Sequence, residues 1–518
     1  MRLPQLSELN KTQMSVVEIK GFTCLDYAED GEMRDSLNIS CDNYPSITPR
    51  KARKILRENI GDATEIHSIE GKLMWVSGTD FIVDGVVKGT VTEGKKSIAS
   101  ITKRVVIFPD KKIYDASKDE FKPIEATAKS TGNVVFSSNK ITVTTAIFGD
   151  FNDGDAIEIT GCTVNTENNR TIVIRKVESD KKTLTFDDDT FSKTGTETAQ
   201  ITFARKCPDL DFICEYGNRI WGCSNKDNTI YGSKLGDPFN WNVFRGLTTD
   251  SYSVPVGTQG EFTGCFPYSS QLVFFKEHVI HKLYGAKPSA FQILTSYAEG
   301  VKKGSEDSIA IIGDTIFYYS LVGVQAYTGN LPERISDNFG SREFKKCVAS
   351  TDGIKYYCCF TDEFDNHIYM TFDTKHNLWL KVSNEYIADF AMYDGHMCLL
   401  DSDNHRIIST GHGEIKDNEI EWMVEFAETN ESTYRKKGYT KLYVDADGAE
   451  GSILKIFVRQ RKEEYREIFS GRFTERKIVK IPIIMGGSDL VQMKLTGKGF
   501  VKIHSITREI IDKGEWNE

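Results

Sequence analysis

A short hairpin pattern recurs along this chain and constrains its fold more than any other feature of the sequence. Its clearest copy lies at residues 216–241, YGNRIWGCSNKDNTIYGSKLGDPFNW, where a Gly-Asn turn precedes a short apolar run. A polar turn follows at residues 224–228, and a second run ends at Tyr231 before an aromatic exit loop. Turn residues between short apolar runs are typical of antiparallel hairpins. The stretch therefore predicts a β-hairpin with a tail.

Seven approximate copies of this hairpin are present, and their spacing predicts the fold. They start at Gly71, Lys103, Tyr216, Ser270, Gly313, Asp352 and Asp394. After residue 206 the starts lie about 39 to 54 residues apart, which is the length of one four-stranded propeller blade. The runs at residues 291–297 and 377–382 are predicted to be outer strands of blades. With no clean helical period, the sequence predicts an all-β protein with a six- or seven-bladed β-propeller.

Changes in pattern divide the chain into four parts. Residues 1–60 are rich in loop residues and predict an extended N-terminal arm. The propeller is predicted over residues 61–124 and 207–415. Between them, the Thr- and Asn-rich residues 125–206 predict an inserted small β domain, because exposed propeller loops tolerate insertions. Longer alternating strands over residues 416–518 predict a C-terminal antiparallel β-sandwich.

Overall composition limits the classes of partner and compartment. The net charge of −10 argues against general affinity for nucleic acid or anionic membranes. The N-terminal residues MRLPQLSELNKTQ have no apolar core of signal-peptide length, and no window approaches a membrane span. We therefore expect a soluble protein made in the cytoplasm. The 11 cysteines lie mostly in apolar runs, which favours buried free thiols over disulfides or a zinc site.

One run of basic residues stands out in the predicted arm. It consists of Arg50, Lys51, Arg53, Lys54 and Arg57. Clustered cations of this kind can hold phosphate or an acidic partner surface. A solvated segment with no partner is the alternative interpretation, and the sequence leaves both open.

Motifs of known chemistry are weak throughout the sequence. The run SNKDNTIYG departs from the Asp-box of propeller glycosidases, since its Asp is displaced, and it is better explained as a turn. Calcium could bind the carboxylates of residues 187–189, or Asp401, Asp403 and Asn404, but neither group has the spacing of a known calcium loop. No nucleophile elbow or zinc-protease motif is found. The sequence predicts a protein that is not an enzyme, with no catalytic residue, cofactor or metal.

Three pieces of the sequence resemble a family of phage virion proteins. They are GEMRDSLNISCDNYPSITPRKAR at residues 31–53, VVIFPDKKIYD at residues 105–115, and the GNRIWGCSNKDNTIYGSKLGDPFNW hairpin at residues 217–241. The last is similar to the tail-hub, nozzle and packaged-DNA stabilisation proteins of tailed phages, in which an L-G-D-P-x-N-W exit is frequent. The insertion and the predicted sandwich have no counterpart in this resemblance.

The resemblance implies a structural protein located in the virion, at the neck or tail. It implies several copies around the axis through which DNA passes, in a cyclic homo-oligomer bound to portal, connector or tail subunits. Packaged DNA would be at most a weakly contacted neighbour, and no membrane is implied. The exit loop suits a contact with a neighbouring subunit, and the residues expected to form it are Leu235, Asp237, Pro238, Phe239 and Trp241. Alternatively, Phe239 and Trp241 cap their own blade.

Three functions remain open from the sequence. The first is a non-enzymatic component of the neck, the head–tail connection or the tail that helps retain packaged DNA. The second is an adhesin at the tail tip or fibre, with the predicted sandwich binding host-surface glycans. The third is a propeller hydrolase that acts on host polysaccharide. The three family-like pieces favour the first.

Overall fold

The computed structural model describes residues 11–410, 420–430, 436–461, 463–483 and 487–512. Backbone contacts divide the chain into two compact units. The middle unit is Ala63–Ile309, and the terminal unit combines Met1–Asp62 with Ala310–Glu518. The boundary expected between the propeller and the sandwich, at residues 415 and 416, lies outside the described residues.

Four sheets of the middle unit have four antiparallel strands each, joined in sequence order. Tight turns connect neighbouring strands. In the hairpin of residues 216–241, Gly217 and Asn218 both have positive φ, 60° and 58°, which matches the right-handed twist of the flanking strands. The strands are Ala63–Ile69, Lys72–Ser77, Asp80–Val83 and Val86–Thr90 in sheet 1; Ser97–Ile101, Arg104–Phe108, Lys112–Asp115 and Glu120–Pro123 in sheet 2; Phe212–Glu215, Ile220–Ser224, Thr229–Gly232 and Tyr252–Pro255 in sheet 3; Phe262–Tyr268, Gln271–Lys276, Val279–Tyr284 and Gln292–Tyr297 in sheet 4.

The terminal unit contains three more sheets of this kind, and the last is completed from far away in the sequence. Its fourth strand comes from the N-terminal segment, where Arg53–Glu58 pairs antiparallel with Arg406–Thr410. The strands are Ala310–Ile312, Thr315–Ser320, Gly323–Tyr327 and Glu333–Arg334 in sheet 5; Lys346–Thr351, Lys355–Thr361, His367–Asp373 and Leu378–Ser383 in sheet 6; Ile387–Tyr393, His396–Asp401, Arg406–Thr410 and Arg53–Glu58 in sheet 7.

The prediction of an all-β, propeller-like protein is confirmed. All seven predicted hairpin starts fall within sheets 1 to 7, one to each sheet. Among the described residues the helices are short 3-10 turns, at Thr166–Asn168, Pro288–Ala290, Glu306–Ser308 and Asp337–Phe339. None of the helices in the described ranges has the length and hydropathy that crossing a membrane requires.

The insertion lies between sheets 2 and 3 of the middle unit and forms two small sheets around a core of its own. Phenylalanines dominate that core: Phe136, Phe148, Phe186 and Phe203 are each 0–1% exposed. In pairing order, the strands are Ala126–Lys129, Thr202–Arg205, Ala156–Thr160 and Thr171–Val173 in one sheet, and Lys176–Val177, Thr183–Thr185, Lys140–Val143, Val134–Phe136 and Gly195–Glu197 in the other.

A two-sheet sandwich in the terminal unit uses strands from both ends of the chain. Its core includes Trp422, Val424 and Leu442, all at most 2% exposed. In pairing order, one sheet contains Lys11–Val16, Val501–Asp512, Lys437–Gly448 and Lys477–Pro482, and the other contains Gly21–Phe22, Glu32–Leu37, Glu421–Phe426, Val491–Lys498, Ile453–Gln460 and Arg466–Arg472.

The sequence predicted an extended arm over residues 1–60, and the part of it that the structure describes, residues 11–60, is not one. Three of its strands belong to the sandwich, a fourth completes sheet 7, and Ile39–Ser40 pairs with Thr48–Pro49. Many of its backbone donors and acceptors pair with strands hundreds of residues away, as in Lys11–Val16, Glu32–Leu37 and Arg53–Glu58, which satisfies peptide groups that a folded chain buries. Local sequence carries no sign of such pairing.

The thiols follow the sequence-based expectation. All 11 cysteines are free, and ten of them are buried. Burial raises the pKa of Cys41 to about 12 and that of Cys398 to about 11, so both stay protonated and unreactive at neutral pH.

Replacing Phe22 with alanine tests whether the N-terminal segment is part of the core. Phe22 is 2% exposed and its ring meets that of Phe339 at 6.1 Å. We expect Phe22→Ala to lower the free energy of unfolding by about 3 kcal/mol, because a buried phenyl ring leaves a cavity. Urea denaturation followed by circular dichroism measures the change. Tyr27→Ala, at a side chain that is 76% exposed, serves as the control and should shift stability by less than about 0.5 kcal/mol. Equal stability of both variants would mean that the segment is dispensable.

Candidate functional site

The exit loop of sheet 3, expected at a subunit contact, packs largely inside its own unit. Trp241 is 1% exposed, donates its indole N–H to the Pro238 carbonyl at 2.9 Å, and meets the ring of Phe108 edge-on at 6.2 Å. Pro238 is buried too. The burial of Trp241 and Pro238 removes both from the predicted contact. This corrects the expectation in favour of its alternative, a loop that caps its own blade.

The other three predicted contact residues of that loop differ in exposure: Asp237 and Phe239 contact neighbouring groups of the protein, and Leu235 faces solvent. The half-buried ring of Phe239 lies 5.3 to 5.9 Å from the charged groups of Arg104, Lys122 and Arg205. Asp237 accepts hydrogen bonds from the Phe239 N–H at 3.1 Å and from the side-chain amide of Asn240 at 2.7 Å, so it shapes the turn. Leu235 alone among the five stays open to solvent, at 40% exposure.

Arg219 explains why this hairpin begins with Gly-Asn-Arg. The side chain is 4% exposed, and its guanidinium donates to three backbone carbonyls, those of Ser233 at 2.6 Å, Asp250 at 2.5 Å and Thr248 at 2.9 Å. Five donors in a rigid fork suit this task. Arg219 therefore fixes the path of the loop that follows the hairpin.

The basic run in the N-terminal segment is split by the structure. Arg50, Lys51 and Arg53 line a cavity of about 440 Å³ in the terminal unit. Lys54 and Arg57 belong to the strand Arg53–Glu58 and do not line it. We call this space the Arg50 cavity. Its walls come from residues 39–53, from sheet 6 and from sheet 7.

Arg53 is the most deeply buried cation of the Arg50 cavity. The residue is 6% exposed, its Nη1 lies 2.7 Å from Glu385 Oε2, and its guanidinium lies over the Tyr369 ring at 5.4 Å. Its Nε–H has no hydrogen-bond partner. A buried donor left unpaired costs about 1–3 kcal/mol, and more on a charged group. Arg53 thus carries an unused donor at the cavity wall.

Arg50 is held by neutral acceptors only. Its Nε donates to Asn38 Oδ1 at 2.8 Å, and its Nη1 donates to the Lys51 carbonyl at 2.9 Å. Burial, with the nearby charge of Arg53, lowers the pKa of Arg50 to about 10, which leaves it charged at neutral pH. Within the described part of the chain, Arg50 makes no ion pair with a carboxylate.

The carboxylates of the Arg50 cavity are already engaged. Asp42 pairs with Lys355, and although burial alone raises its pKa, that partner lowers it overall. Asp352 accepts the Tyr357 hydroxyl at 2.8 Å and two backbone N–H groups of its own turn. Asp373 accepts from Cys41 and from the backbone N–H of His376. Each acid therefore has partners other than the two arginines.

Two exposed lysines add positive charge to the lining of the Arg50 cavity. The cavity is lined by five Arg and Lys side chains and three carboxylates; the cations are Arg50, Lys51, Arg53, Lys355 and Lys375. The side chains of Lys51 and Lys375 make no ion pair with any described residue, and both are exposed. The arrangement is suited to an anion, although the chain as a whole is acidic.

The two weak calcium hypotheses find no geometric support. Asp401 accepts from the Asn404 side chain at 3.0 Å and from Arg406 Nε at 2.7 Å, so its oxygens bind protein donors. Asp187 pairs with Arg245, and Asp188 accepts from Asn139. No grouping of three or more His, Cys, Asp or Glu suited to a metal occurs among the described residues.

Comparisons with known proteins find similarity in structure alone. No protein-family model matches the sequence, and no curated protein matches it either. Solved structures similar to this chain include U3-55K (8% identity, 69% of this chain, 98% of that chain, TM-score 0.35) and BamB from Moraxella catarrhalis (11%, 71%, 99%, 0.35). Another is the endosialidase of phage phi92 (10%, 75%, 74%, 0.25). These are propeller-like proteins, and at such scores nothing about their functions transfers to this chain.

Proposed function

We propose that this chain is a non-enzymatic structural protein of a phage virion, located at the neck, the head–tail connection or the tail. In this role it assembles around the axis of DNA passage and helps retain packaged DNA. One observation carries the proposal: each of the three sequence pieces that resemble tail-hub, nozzle and packaged-DNA stabilisation proteins holds the fold together. The resemblance therefore involves the architecture of the protein rather than scattered surface residues.

The first piece, residues 31–53, fastens the sandwich to sheet 6 within the terminal unit. The Ser36 hydroxyl donates to the Lys381 carbonyl at 2.7 Å, and the Asn38 N–H donates to the Val382 carbonyl at 2.7 Å. Ile47 forms a backbone bridge with Ile503 of the sandwich. These hydrogen bonds tie the segment both to sheet 6 and to the sandwich.

The other two pieces stabilise sheets 2 and 3 of the middle unit. The second contains Asp110, which is paired with Lys96 at 2.8 Å, both side chains being at most 3% exposed. The third contains Arg219 and Trp241, whose contacts fix the exit loop. Buried ion pairs and side chain–backbone bonds at these points favour one rigid arrangement of each sheet.

The contact with neighbouring subunits is proposed for the exposed side of the exit loop. Leu235, Phe244 and Leu247 are 40%, 58% and 54% exposed. The Leu235 N–H donates to the Thr249 carbonyl at 3.0 Å, which holds the start of the loop beside its end. Apolar side chains gathered on a loop are typical of an interface.

Immunogold labelling tests the location of the protein. Antibody raised against the purified chain is applied to virions of the phage that encodes it, and the particles are viewed by electron microscopy. Gold at the neck or along the tail supports the proposal. Gold confined to the capsid, or none on intact and on disrupted particles, contradicts it. Gold confined to the distal fibres favours the adhesin instead.

Two glutamate substitutions in the exit loop test the proposed contact between subunits. We expect the wild-type chain to form a ring, and Leu235→Glu with Phe244→Glu to reduce it to monomers, because two carboxylates oppose burial at an interface. Light scattering after size-exclusion chromatography measures the mass. Phe364→Glu, at a side chain that is 84% exposed on sheet 6, is the matched control and should assemble normally. A wild-type chain that stays monomeric at all concentrations would contradict the proposed ring.

A further inference from the structure

We propose that the Arg50 cavity binds a small ligand that carries a phosphate group, with Arg50 and Arg53 holding the phosphate oxygens. This site is independent of the proposed virion role and of the contact at the exit loop. Its ligand class follows from three features of the cavity, which are its excess of cations, the unused donor of Arg53, and its size with an aromatic wall.

The first feature is the imbalance between cations and anions. Two guanidinium groups share one nearby carboxylate, since Glu385 pairs with Arg53 and Arg50 has only neutral acceptors. The three carboxylates that line the cavity are bound to Lys355, to Tyr357 and to backbone or thiol donors. Arginine forks match the geometry of phosphate oxygens. A dianion here would meet Arg50, which pairs with no described carboxylate, beside Arg53, whose one carboxylate partner is Glu385.

The second feature is the unused donor of Arg53. The side chain is more than nine-tenths buried, lines the cavity, and has an Nε–H with no partner. Buried donors in folded proteins are almost always satisfied. The Arg53 Nε atom is closed to solvent as the side chain stands, so a phosphate oxygen in the cavity becomes its acceptor only after a small shift of the guanidinium.

The third feature is room for an organic group beside the phosphate. At about 440 Å³ the cavity has the size of a site for a small organic molecule. Tyr357, Tyr369 and His376 form part of its wall, and the His376 imidazole stacks on Tyr44 with ring centres 4.0 Å apart. Flat aromatic groups beside polar ones suit a sugar or similar ring next to the phosphate. Duplex DNA is too broad to bring a phosphate to Arg53.

Calorimetry with defined ligands tests the site on the full-length protein. The probes are inorganic phosphate, glucose 6-phosphate and glucose, which separate a free phosphate from an organic ester and from the sugar alone. We expect one or both phosphates to bind and glucose not to bind. Tighter binding of glucose 6-phosphate identifies an organic phosphate as the ligand, and equal or tighter binding of inorganic phosphate identifies the free anion.

Variants of the basic run locate the binding. Arg50→Gln is expected to weaken phosphate binding about ten-fold or more, because it removes a charged donor from the ligand. Lys51→Gln changes an exposed side chain at the cavity mouth, cannot disturb the core, and should weaken binding about three-fold. Lys54→Gln makes the same change of charge on an exposed neighbour outside the cavity and should bind as the wild type does.

Several outcomes overturn the proposal. One is the absence of binding by either phosphate at millimolar concentration. A second is binding of glucose as tight as that of glucose 6-phosphate. A third is a loss in Lys54→Gln equal to the losses in Arg50→Gln and Lys51→Gln, which would show that net charge, rather than the cavity, attracts the anion.

Discussion

Trp241→Ala is expected to lower the free energy of unfolding by about 4 kcal/mol, because the ring is buried in the core between sheets 2 and 3. The side chain is 1% exposed and packs with Phe108, Ile113 and Ile220. Its removal leaves a large cavity, and the Pro238 carbonyl loses the indole donor at 2.9 Å. Urea denaturation followed by far-UV circular dichroism measures the change without relying on tryptophan fluorescence.

The matched control for that prediction is Leu235→Ala in the same loop. Leu235 is 40% exposed, so its truncation should change the stability of the isolated chain by less than about 0.5 kcal/mol. The two residues were indistinguishable as candidates from the sequence, and the structure assigns them opposite roles. A Trp241→Ala chain as stable as the wild type but unable to assemble would return Trp241 to the subunit contact.

The sheets could be predicted from the sequence because their signals are local. Each hairpin contains its own turn residues and two short apolar runs, and these sit within about twenty residues of one another. The turn at Gly217 and Asn218 illustrates this, since positive φ at both positions selects those residue types. The spacing between copies then indicates one sheet per repeat.

Pairing between distant segments could not be predicted in the same way. The strand Arg53–Glu58 completes sheet 7 by pairing with Arg406–Thr410, and Lys11–Val16 pairs with the far end of the chain. Such pairs have no turn between them and no fixed spacing, so residues 1–60 resembled an arm. The burial pattern of Arg53–Glu58 is irregular as well, which hides the alternation expected of a strand.

Only part of the candidate site could be predicted from the sequence, because its residues come from segments that are far apart along the chain. The basic run indicated where cations cluster, but the two features that make Arg53 unusual lie elsewhere in the sequence. Its partner Glu385 and the ring of Tyr369 are more than 300 residues away. Lys54, one residue beyond Arg53, stays outside the cavity, so the run could not be divided without the fold.

Asp110→Asn is the second substitution expected to have a large effect. It should lower the free energy of unfolding by about 4 kcal/mol. It leaves the Lys96 ammonium, whose side chain is 0% exposed, without its counterion at 2.8 Å. Removing one partner of a buried ion pair is far more destabilising than replacing both. The double variant Lys96→Met with Asp110→Asn should therefore recover part of the loss, and urea denaturation of all three chains measures it.

The pH dependence of the stability lost in Asp110→Asn gives a sharper test of the ion pair. Burial alone would raise the pKa of Asp110, but hydrogen bonds from Lys96 and Thr92 lower it below the ordinary 3.8. A carboxyl whose folded-state pKa is lowered contributes stability above its unfolded pKa and loses it as the pH falls through the folded value. The difference between wild type and Asp110→Asn should thus be constant from about pH 5 to 8 and shrink below about pH 4. A difference that stays the same at pH 3 and pH 7 would show that the ion pair is not its source, since below the ordinary pKa of 3.8 the unfolded chain takes up a proton at Asp110 and the stability that the ion pair contributes falls.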